Sequence, residues 1–125
     1  MDAKIRELKA RNPLSLLARL SADSVGGEAR HLDVALREGD ADARRILNET
    51  ASDLAFGLSH VAHLFHPAVI VLGGGLSNVG EPLREAVAAA LKPLLMAVFH
   101  PAPPVRLTAL GEGAVPAGAL LLTRP

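Results

Sequence analysis

The chemistry that this sequence suggests lies in a run of glycines after a short apolar segment. Residues 69–72 are Val-Ile-Val-Leu, and three glycines follow at once. Glycine has no Cβ, so this run lets a flat ligand approach the backbone at the end of a buried strand. Ligands of open α/β sheets bind at the carboxyl ends of the strands. The candidate ligand-binding residues here are Gly73, Gly74, Gly75, Leu76, Ser77 and Asn78.

The loop does not match the two common phosphate-binding motifs. A dinucleotide fingerprint that starts at Gly73 needs glycine where Asn78 stands, and a Walker A loop that starts at Gly75 needs lysine where Glu81 stands. An acidic residue at that place repels a triphosphate. The loop therefore suits a neutral part of a ligand, such as an adenosine moiety. A tight strand-to-helix turn without a ligand is the alternative, and loop capping is the alternative for Ser77 and Asn78.

A second glycine cluster, Gly111-Glu112-Gly113, ends the second predicted strand. Glycine-rich turns at equivalent ends of two parallel strands face one crevice. We therefore add Gly111 and Glu112 to the candidate site, with Glu112 contacting a ribose or a partner.

Two further groups of polar residues favour structural roles. His60, His63 and His66 suggest a metal site, but the first and third diverge by about 120° around a helix. No carboxylate joins them in an HExxH pattern, so we predict a partly solvated helix end. Asp40 and Asp42 stand at a predicted helix start, where carboxylates are favoured as caps. We expect capping there rather than a catalytic pair.

The elements that position these residues follow from apolar spacing and from proline and glycine breaks. Helices are predicted over residues 2–11, 13–20, 28–38, 41–66, 81–95 and within 111–122, and strands over 68–72 and 105–109. Two strands joined through a helix predict a right-handed βαβ crossover. Gly57 inside the long helix costs about 1 kcal/mol against alanine, which predicts close packing against another backbone.

Composition excludes several classes of protein. The 125 residues include no cysteine, so neither a disulfide framework nor a thiolate zinc site is possible. The formal net charge is zero, so the chain lacks the excess of positive charge that would attract the phosphates of a nucleic acid. No apolar run is long enough to span a membrane, and the charged N-terminus is no signal peptide. We expect a cytoplasmic protein. Because two strands cannot complete an α/β sheet, we also expect a missing lobe or a homo-oligomer.

Several short motifs together resemble the C-terminal lobe of the ROK family (repressors, open reading frames and sugar kinases). The resemblance covers roughly residues 13–123. It rests on Gly39-Asp40, Ala43, Pro67, Val69-Ile70-Val71, Gly73-Gly74-Gly75 and Gly118-Ala119 in this order and spacing.

The resemblance implies an α/β chain that forms part of an actin-like, ribonuclease-H-like ATPase lobe with a short parallel or mixed sheet. It implies one subdomain over residues 1–125, with a helical lead-in over 1–38 and an adenosine-side portion over 39–125. Residues 73–75 would contact the adenosine of ATP or ADP, bound with Mg²⁺. Residues 111–119 would form a connecting segment near the hinge.

The family's catalytic parts are absent from the sequence. It contains no Asp-x-Gly phosphate loop and, without cysteine, no zinc motif. The resemblance thus implies part of a kinase for a hexose or an N-acetylhexosamine, with no catalytic residue here and no activity alone. A ROK-type repressor fragment and a non-enzymatic oligomerisation module are the alternatives.

Overall fold

The computed structural model of this chain describes residues 1–109 and 114–122. The helices are α1 (Asp2–Arg11), α2 (Leu16–Leu20), α3 (Leu32–Arg37), α4 (Ala41–Phe65), α5 (Glu81–Leu91) and α6 (Ala114–Leu122). The strands are β1 (Ile70–Leu72) and β2 (Val105–Leu107), and 3₁₀ turns cover Glu28–His31, Gly75–Val79, Lys92–Leu94 and Ala97–Phe99. None of the helices in these two ranges combines the length and apolar character needed to cross a bilayer.

The two strands are parallel neighbours joined through α5, as the βαβ pattern predicts. Ile70 pairs with Val105 in the register, and both side chains are buried beneath the helices. On the other face Val71 is 57% exposed, and its register partner Arg106 is exposed as well. Parallel sheets are normally covered on both faces. Across the described ranges, the second face of this sheet has no cover.

The long helix α4 begins where the sequence predicts, because Asp40 caps it. One carboxylate oxygen of Asp40 accepts hydrogen bonds from the amides of Asp42 and Ala43 at 2.8 and 3.1 Å. The helix then buries one stripe against α5, whose own buried side chains are those of Leu83, Val87 and Leu91. The buried stripe of α4 consists of Ala43, Ile46, Leu47, Thr50, Ala51, Ala55, Ser59 and Ala62.

Asp40 also holds the start of α2. Its second carboxylate oxygen accepts from the Leu17 amide at 2.8 Å and from the Ser15 hydroxyl at 3.1 Å. Partial burial alone would raise the pKa of Asp40, but these hydrogen bonds and those from α4 lower it below the ordinary value. The partly buried Asp40 carboxylate therefore links the N-terminal ends of α2 and α4.

Three predicted boundaries are wrong in detail. The second helix starts at Leu16 with Ser15 as its cap, not at Pro13, because the Ser15 side chain accepts from the Ala18 amide. The predicted helix 28–38 is a 3₁₀ turn followed by α3. The predicted helix 81–95 stops early, at Leu91, because Pro93 in the following 3₁₀ turn lacks the amide that would continue it; the sequence itself indicates that Pro93 kinks or ends this helix.

The glycine inside α4 has no close neighbour in the described parts of the chain. A Cβ at Gly57 would meet nothing within 4 Å. The predicted close packing of Gly57 against another backbone of this chain is therefore wrong.

Candidate functional site

The glycine loop leaves β1 through a backbone conformation that side chains avoid. Gly74 has φ 73° and ψ −170°, a region that glycine reaches without steric cost. A Cβ at Gly74 would meet nothing within 4 Å, so its requirement is conformational. A Cβ at Gly73 would lie 3.6 Å from the Thr108 methyl group, which is ordinary contact. Gly74 is thus the most sensitive position of the loop.

Ser77 closes the loop onto itself. Its amide and its hydroxyl both donate to the Gly74 carbonyl oxygen, at 3.0 and 2.7 Å. The side chain is only 9% exposed. This is the capping role that the sequence left open for Ser77, and it uses the hydroxyl proton within the loop. Any contribution of Ser77 to ligand binding therefore acts through the shape of the loop or through its oxygen lone pairs.

A cavity of about 400 Å³ lies between this loop and the segment before α3. The loop side is formed by Gly75, Leu76 and Asn78, and the facing wall includes Ala29 and Arg30. Six of the eight predicted residues form the loop, and three of those six line the cavity. The other two, Gly111 and Glu112, lie outside the described residues.

The facing wall is held in place by the carboxylate of Asp2 at the start of α1. That carboxylate accepts from the amides of Gly27 and Ala29 at 3.1 and 2.9 Å. Gly27 adopts a left-handed conformation with φ 68°, which begins the 3₁₀ turn. Sequence reasoning treated this segment only as a loop and helix start. The adjacent glycines at 26 and 27 were the available signal for an exposed backbone there.

A buried charge supports the same wall from below. The Glu28 side chain is fully buried, and neither of its carboxylate oxygens accepts a hydrogen bond. The Arg6 Nε and Lys9 Nζ atoms of α1 lie 3.8 and 3.9 Å from its Oε1 atom. These long ion pairs link α1 to the 3₁₀ turn that carries Ala29 and Arg30.

Arg30 supplies the positive charge of the cavity. Its side chain is exposed at the rim, where one guanidinium nitrogen lies 3.4 Å from the Ser24 hydroxyl. A planar guanidinium can stack on a flat aromatic ring or approach an anionic group. The cavity therefore combines loop backbone at Gly75, apolar residues at Met1 and Leu76, and polar or charged residues at Asp2, Asn78 and Arg30.

The acidic residues near the loop are engaged elsewhere. Glu81 pairs with Arg84, and this hydrogen bond lowers the pKa of Glu81. The Asp2 carboxylate accepts hydrogen bonds from the backbone amides of Gly27 and Ala29 in the facing wall. Over the described ranges, no three His, Asp or Glu side chains are grouped to hold a metal ion.

His60 and His63 of α4 and His66, which follows its last residue, have separate contacts. His60 packs edge-on against Phe56, and the His63 Nε2 atom accepts from the Met96 amide at 3.2 Å. His66 ends the helix with φ 50° and stacks on Phe99 at 4.7 Å. Each ring thus packs at the exposed end of the helix.

This arrangement of helices on a parallel sheet with a glycine loop is part of the actin-like ATPase fold, as a solved structure shows. A ROK family glucokinase from Streptomyces griseus, solved with glucose and AMPPNP, matches 97% of this chain with a TM-score of 0.82 and 30% identity. The family model "ROK family" matches residues 13–125. The chain belongs to the ROK family.

Curated relatives point to sugar kinases. A glucokinase from Thermotoga maritima is 32% identical over 90 residues, which are 69% of this chain and 28% of the relative. A glucokinase from Streptomyces coelicolor is 33% identical over 110 residues, 87% of this chain and 35% of the relative. An N-acetyl-D-glucosamine kinase from Haemophilus influenzae is 35% identical over 98 residues, 77% and 32% respectively. The matches span about a third of each relative, and 41% of the solved glucokinase chain.

Proposed function

We propose that this chain is the C-terminal part of an ATP-dependent ROK-type sugar kinase, and that the cavity beside its glycine loop holds the adenosine of ATP or ADP. The cavity itself is the observation that carries the proposal. It places Gly75, Leu76 and Asn78 of the loop on one wall and Arg30, with its planar cation, on the facing wall. The solved glucokinase that this chain resembles was crystallised with an ATP analogue.

Within this cavity each residue has a positioning role. The backbone at Gly75 and the Leu76 side chain would contact the flat adenine or its sugar, and Asn78 would offer polar contacts. Arg30 would lie over the base from the other side, since a guanidinium stacks on aromatic rings. Phosphoryl transfer depends chiefly on positioning and charge stabilisation. This chain would fix the nucleoside end, so that the phosphates reach a clamp on the other lobe.

The sugar would be a hexose or an N-acetylhexosamine, because the relatives are named glucokinase and N-acetyl-D-glucosamine kinase. The base, the Mg²⁺ ligands and the sugar contacts of such a kinase would lie outside this chain. The chain alone would bind nucleotide weakly and transfer no phosphate.

Calorimetric titration with Mg-ADP, adenosine and pyrophosphate tests the proposal. Saturable binding of Mg-ADP and of adenosine, with none for pyrophosphate, is the expected result because the site recognises the nucleoside. Equal binding of pyrophosphate would indicate a phosphate site. No binding of any probe to the folded chain up to millimolar concentrations would leave the glycine loop as a turn only.

The repressor alternative predicts a folded chain that does not bind adenine nucleotides, so the same titration separates a kinase origin from a repressor origin.

A further property, self-association, is favoured by a specific observation. Leu64 and Phe65 at the end of α4 are 72% and 74% exposed, and contiguous exposed apolar surface marks interaction sites. We propose that the chain forms a homo-oligomer.

A further inference from the structure

One serine of the cavity wall, Ser24, differs from the other serines of the described chain. It lies outside any helix, in the loop before the 3₁₀ turn, and its side chain is partly exposed. The side chain of the next residue, Val25, is fully exposed. Ser52 is exposed as well, but it lies inside α4. The remaining serines are buried, and they are Ser15, Ser21, Ser59 and Ser77. Ser24 is therefore the serine that a modifying enzyme can reach without opening a helix.

Three basic side chains surround Ser24. The His31 Nε2 atom lies 3.0 Å from the Ser24 hydroxyl oxygen, and a guanidinium nitrogen of Arg30 lies 3.4 Å from it. Lys9 of α1 donates to the Ser24 carbonyl oxygen at 3.0 Å. A serine hydroxyl is neutral, with one donor and two acceptor lone pairs. These three residues, the Ser24 cluster, therefore supply more positive charge than the hydroxyl itself uses.

The carboxylates near the Ser24 cluster leave two of its members without an acidic partner. Among the described residues, neither Arg30 nor His31 is paired with a carboxylate. Asp2 accepts hydrogen bonds from two amides of the wall. Glu28 is fully buried, and Asp23 is exposed. The Ser24 cluster is therefore open to an additional anion.

A phosphate group on the Ser24 oxygen fits this arrangement. A phosphoserine carries a charge of about −1.5 to −2 at neutral pH and three strong acceptor oxygens, which pair well with several cations. We propose that Ser24 is a phosphorylation site, and that the Ser24 cluster holds the phosphate through Arg30, His31 and Lys9.

The modification would use ATP and a separate serine/threonine protein kinase. The Ser24 Oγ atom attacks the γ-phosphorus, so that an O–P bond forms and the bond from this phosphorus to the bridging oxygen breaks. ADP leaves with that oxygen. The hydroxyl proton passes to the catalytic base of the protein kinase.

Arg30 connects this site with the cavity beside the glycine loop, because it belongs to the Ser24 cluster and also lines the cavity. A guanidinium bonded to phosphate approaches to about 2.7–2.9 Å, closer than the present 3.4 Å to the hydroxyl. Phosphorylation therefore draws Arg30 toward Ser24 and away from a bound base. This consequence rests on the proposed adenosine site, whereas the phosphorylation site itself does not.

Mass spectrometry of the full chain after incubation with Mg-ATP and serine/threonine kinases of broad specificity tests whether Ser24 is accepted. Ser24 is expected to be the main site of phosphate, and Ser52 is the reference because it is exposed but helical. Phosphate at Ser52 with none at Ser24, or a chain without any phosphate, would overturn the proposal.

A ³¹P NMR titration tests the binding of the phosphate by the Ser24 cluster without any nucleotide. Phosphoserine is installed at position 24, and in a control chain at position 52. The second pKa of phosphoserine is about 6, and nearby cations should lower it by about one unit at position 24. Arg30→Ala should reverse much of this shift. Equal pKa values at positions 24 and 52 would overturn the role of the Ser24 cluster.

Titration with adenosine tests the coupling to the cavity. Adenosine is uncharged, so repulsion between two phosphates does not contribute. The chain phosphorylated at Ser24 should bind adenosine about 2- to 30-fold more weakly, as expected for the loss of a stacked cation, and Ser24→Ala should bind it like the unmodified chain. Equal affinities of the phosphorylated and unmodified chains would overturn the coupling. An unmodified chain that does not bind adenosine would contradict the proposed function instead, while the ³¹P titration still decides the phosphate site.

Discussion

At the scale of single residues, the positions that shape the candidate site differ in what they contribute: some contribute a backbone conformation and others a charge. Gly74 is needed for its left-handed backbone, whereas Gly73 is not in a restricted conformation. In the proposed site, Arg30 contributes its planar cation. The amide and the hydroxyl of Ser77 stabilise the loop by donating hydrogen bonds to the Gly74 carbonyl oxygen. These differences give each residue a distinct expected phenotype.

Gly74→Val is expected to abolish measurable binding of Mg-ADP. A β-branched residue at φ 73° is strained by about 2 kcal/mol, so the loop must change shape and the cavity with it. Calorimetry measures the binding, and Gly73→Ala is the control because its Cβ would make only ordinary contact with Thr108. Unchanged binding by Gly74→Val would show that the loop conformation is irrelevant to the nucleotide.

Arg30→Ala is expected to weaken binding of Mg-ADP about 2- to 30-fold, the range of a cation stacked on an aromatic ring. Arg30→Lys should restore little of it, since an ammonium group has no plane to stack. Arg37→Ala serves as the control, because Arg37 is paired with Asp33 and does not line the cavity. If Arg30→Lys bound Mg-ADP as tightly as the unmodified chain, Arg30 would act through its charge and not through stacking.

At the scale of elements, the bounds of α1 and the start of the long helix α4 were predictable from the sequence, whereas the starts of α2 and α3 were not. The apolar stripe of α4 and the capping Asp40 fix its start, because both signals are local in sequence. The start of α2 depends instead on Ser15 and on the distant Asp40 carboxylate. The 3₁₀ turn over Glu28–His31 that precedes α3 depends on Asp2, whose carboxylate accepts hydrogen bonds from the amides of Gly27 and Ala29. Such hydrogen bonds join residues that are far apart in the sequence, so the spacing of residue types does not predict them.

Asp40→Ala is expected to lower the free energy of unfolding by about 2 kcal/mol at neutral pH, since it removes the caps of two helices. The pKa of Asp40 is held below its ordinary value of 3.8. Its stabilisation is therefore complete above pH 3.8 and is lost as the pH falls through the lowered pKa. Denaturant titrations at several pH values measure this loss.

The difference in stability between the unmodified chain and Asp40→Ala should shrink on acidification. Asp23→Ala, in the exposed loop before α3, is the control and should change stability little. A difference that stays constant down to the lowest pH at which the chain folds would contradict the role assigned to the Asp40 carboxylate.

At the scale of the whole molecule, the described sheet has two parallel strands and one bare face. Because parallel sheets are normally covered on both faces, this supports the proposal that the chain is part of a larger kinase. The sequence predicted the crossover between these strands and the glycine loop after the first of them. It did not predict the wall opposite the loop, because Asp2, Ala29 and Arg30 meet Leu76 only through the tertiary fold.

The chain alone is expected to release no ADP from ATP in response to glucose or N-acetylglucosamine. In the proposed function it contributes a nucleoside contact but neither the catalytic base nor the phosphate clamp, and positioning of one substrate end does not lower the barrier by itself. A coupled assay for ADP measures this. Sugar-dependent ADP production above the protein-free rate would show that catalytic groups reside in this chain.

The most direct measurement of the central claim is a ¹⁵N–¹H correlation spectrum recorded during titration with Mg-ADP. The proposed site predicts saturable shifts concentrated at the amides of residues 27–30 and 74–78, the two walls of the cavity. The amides of α4 should stay unshifted. Shifts confined to other surfaces, or an unchanged spectrum of the folded chain at millimolar nucleotide, would contradict an adenosine site at the glycine loop.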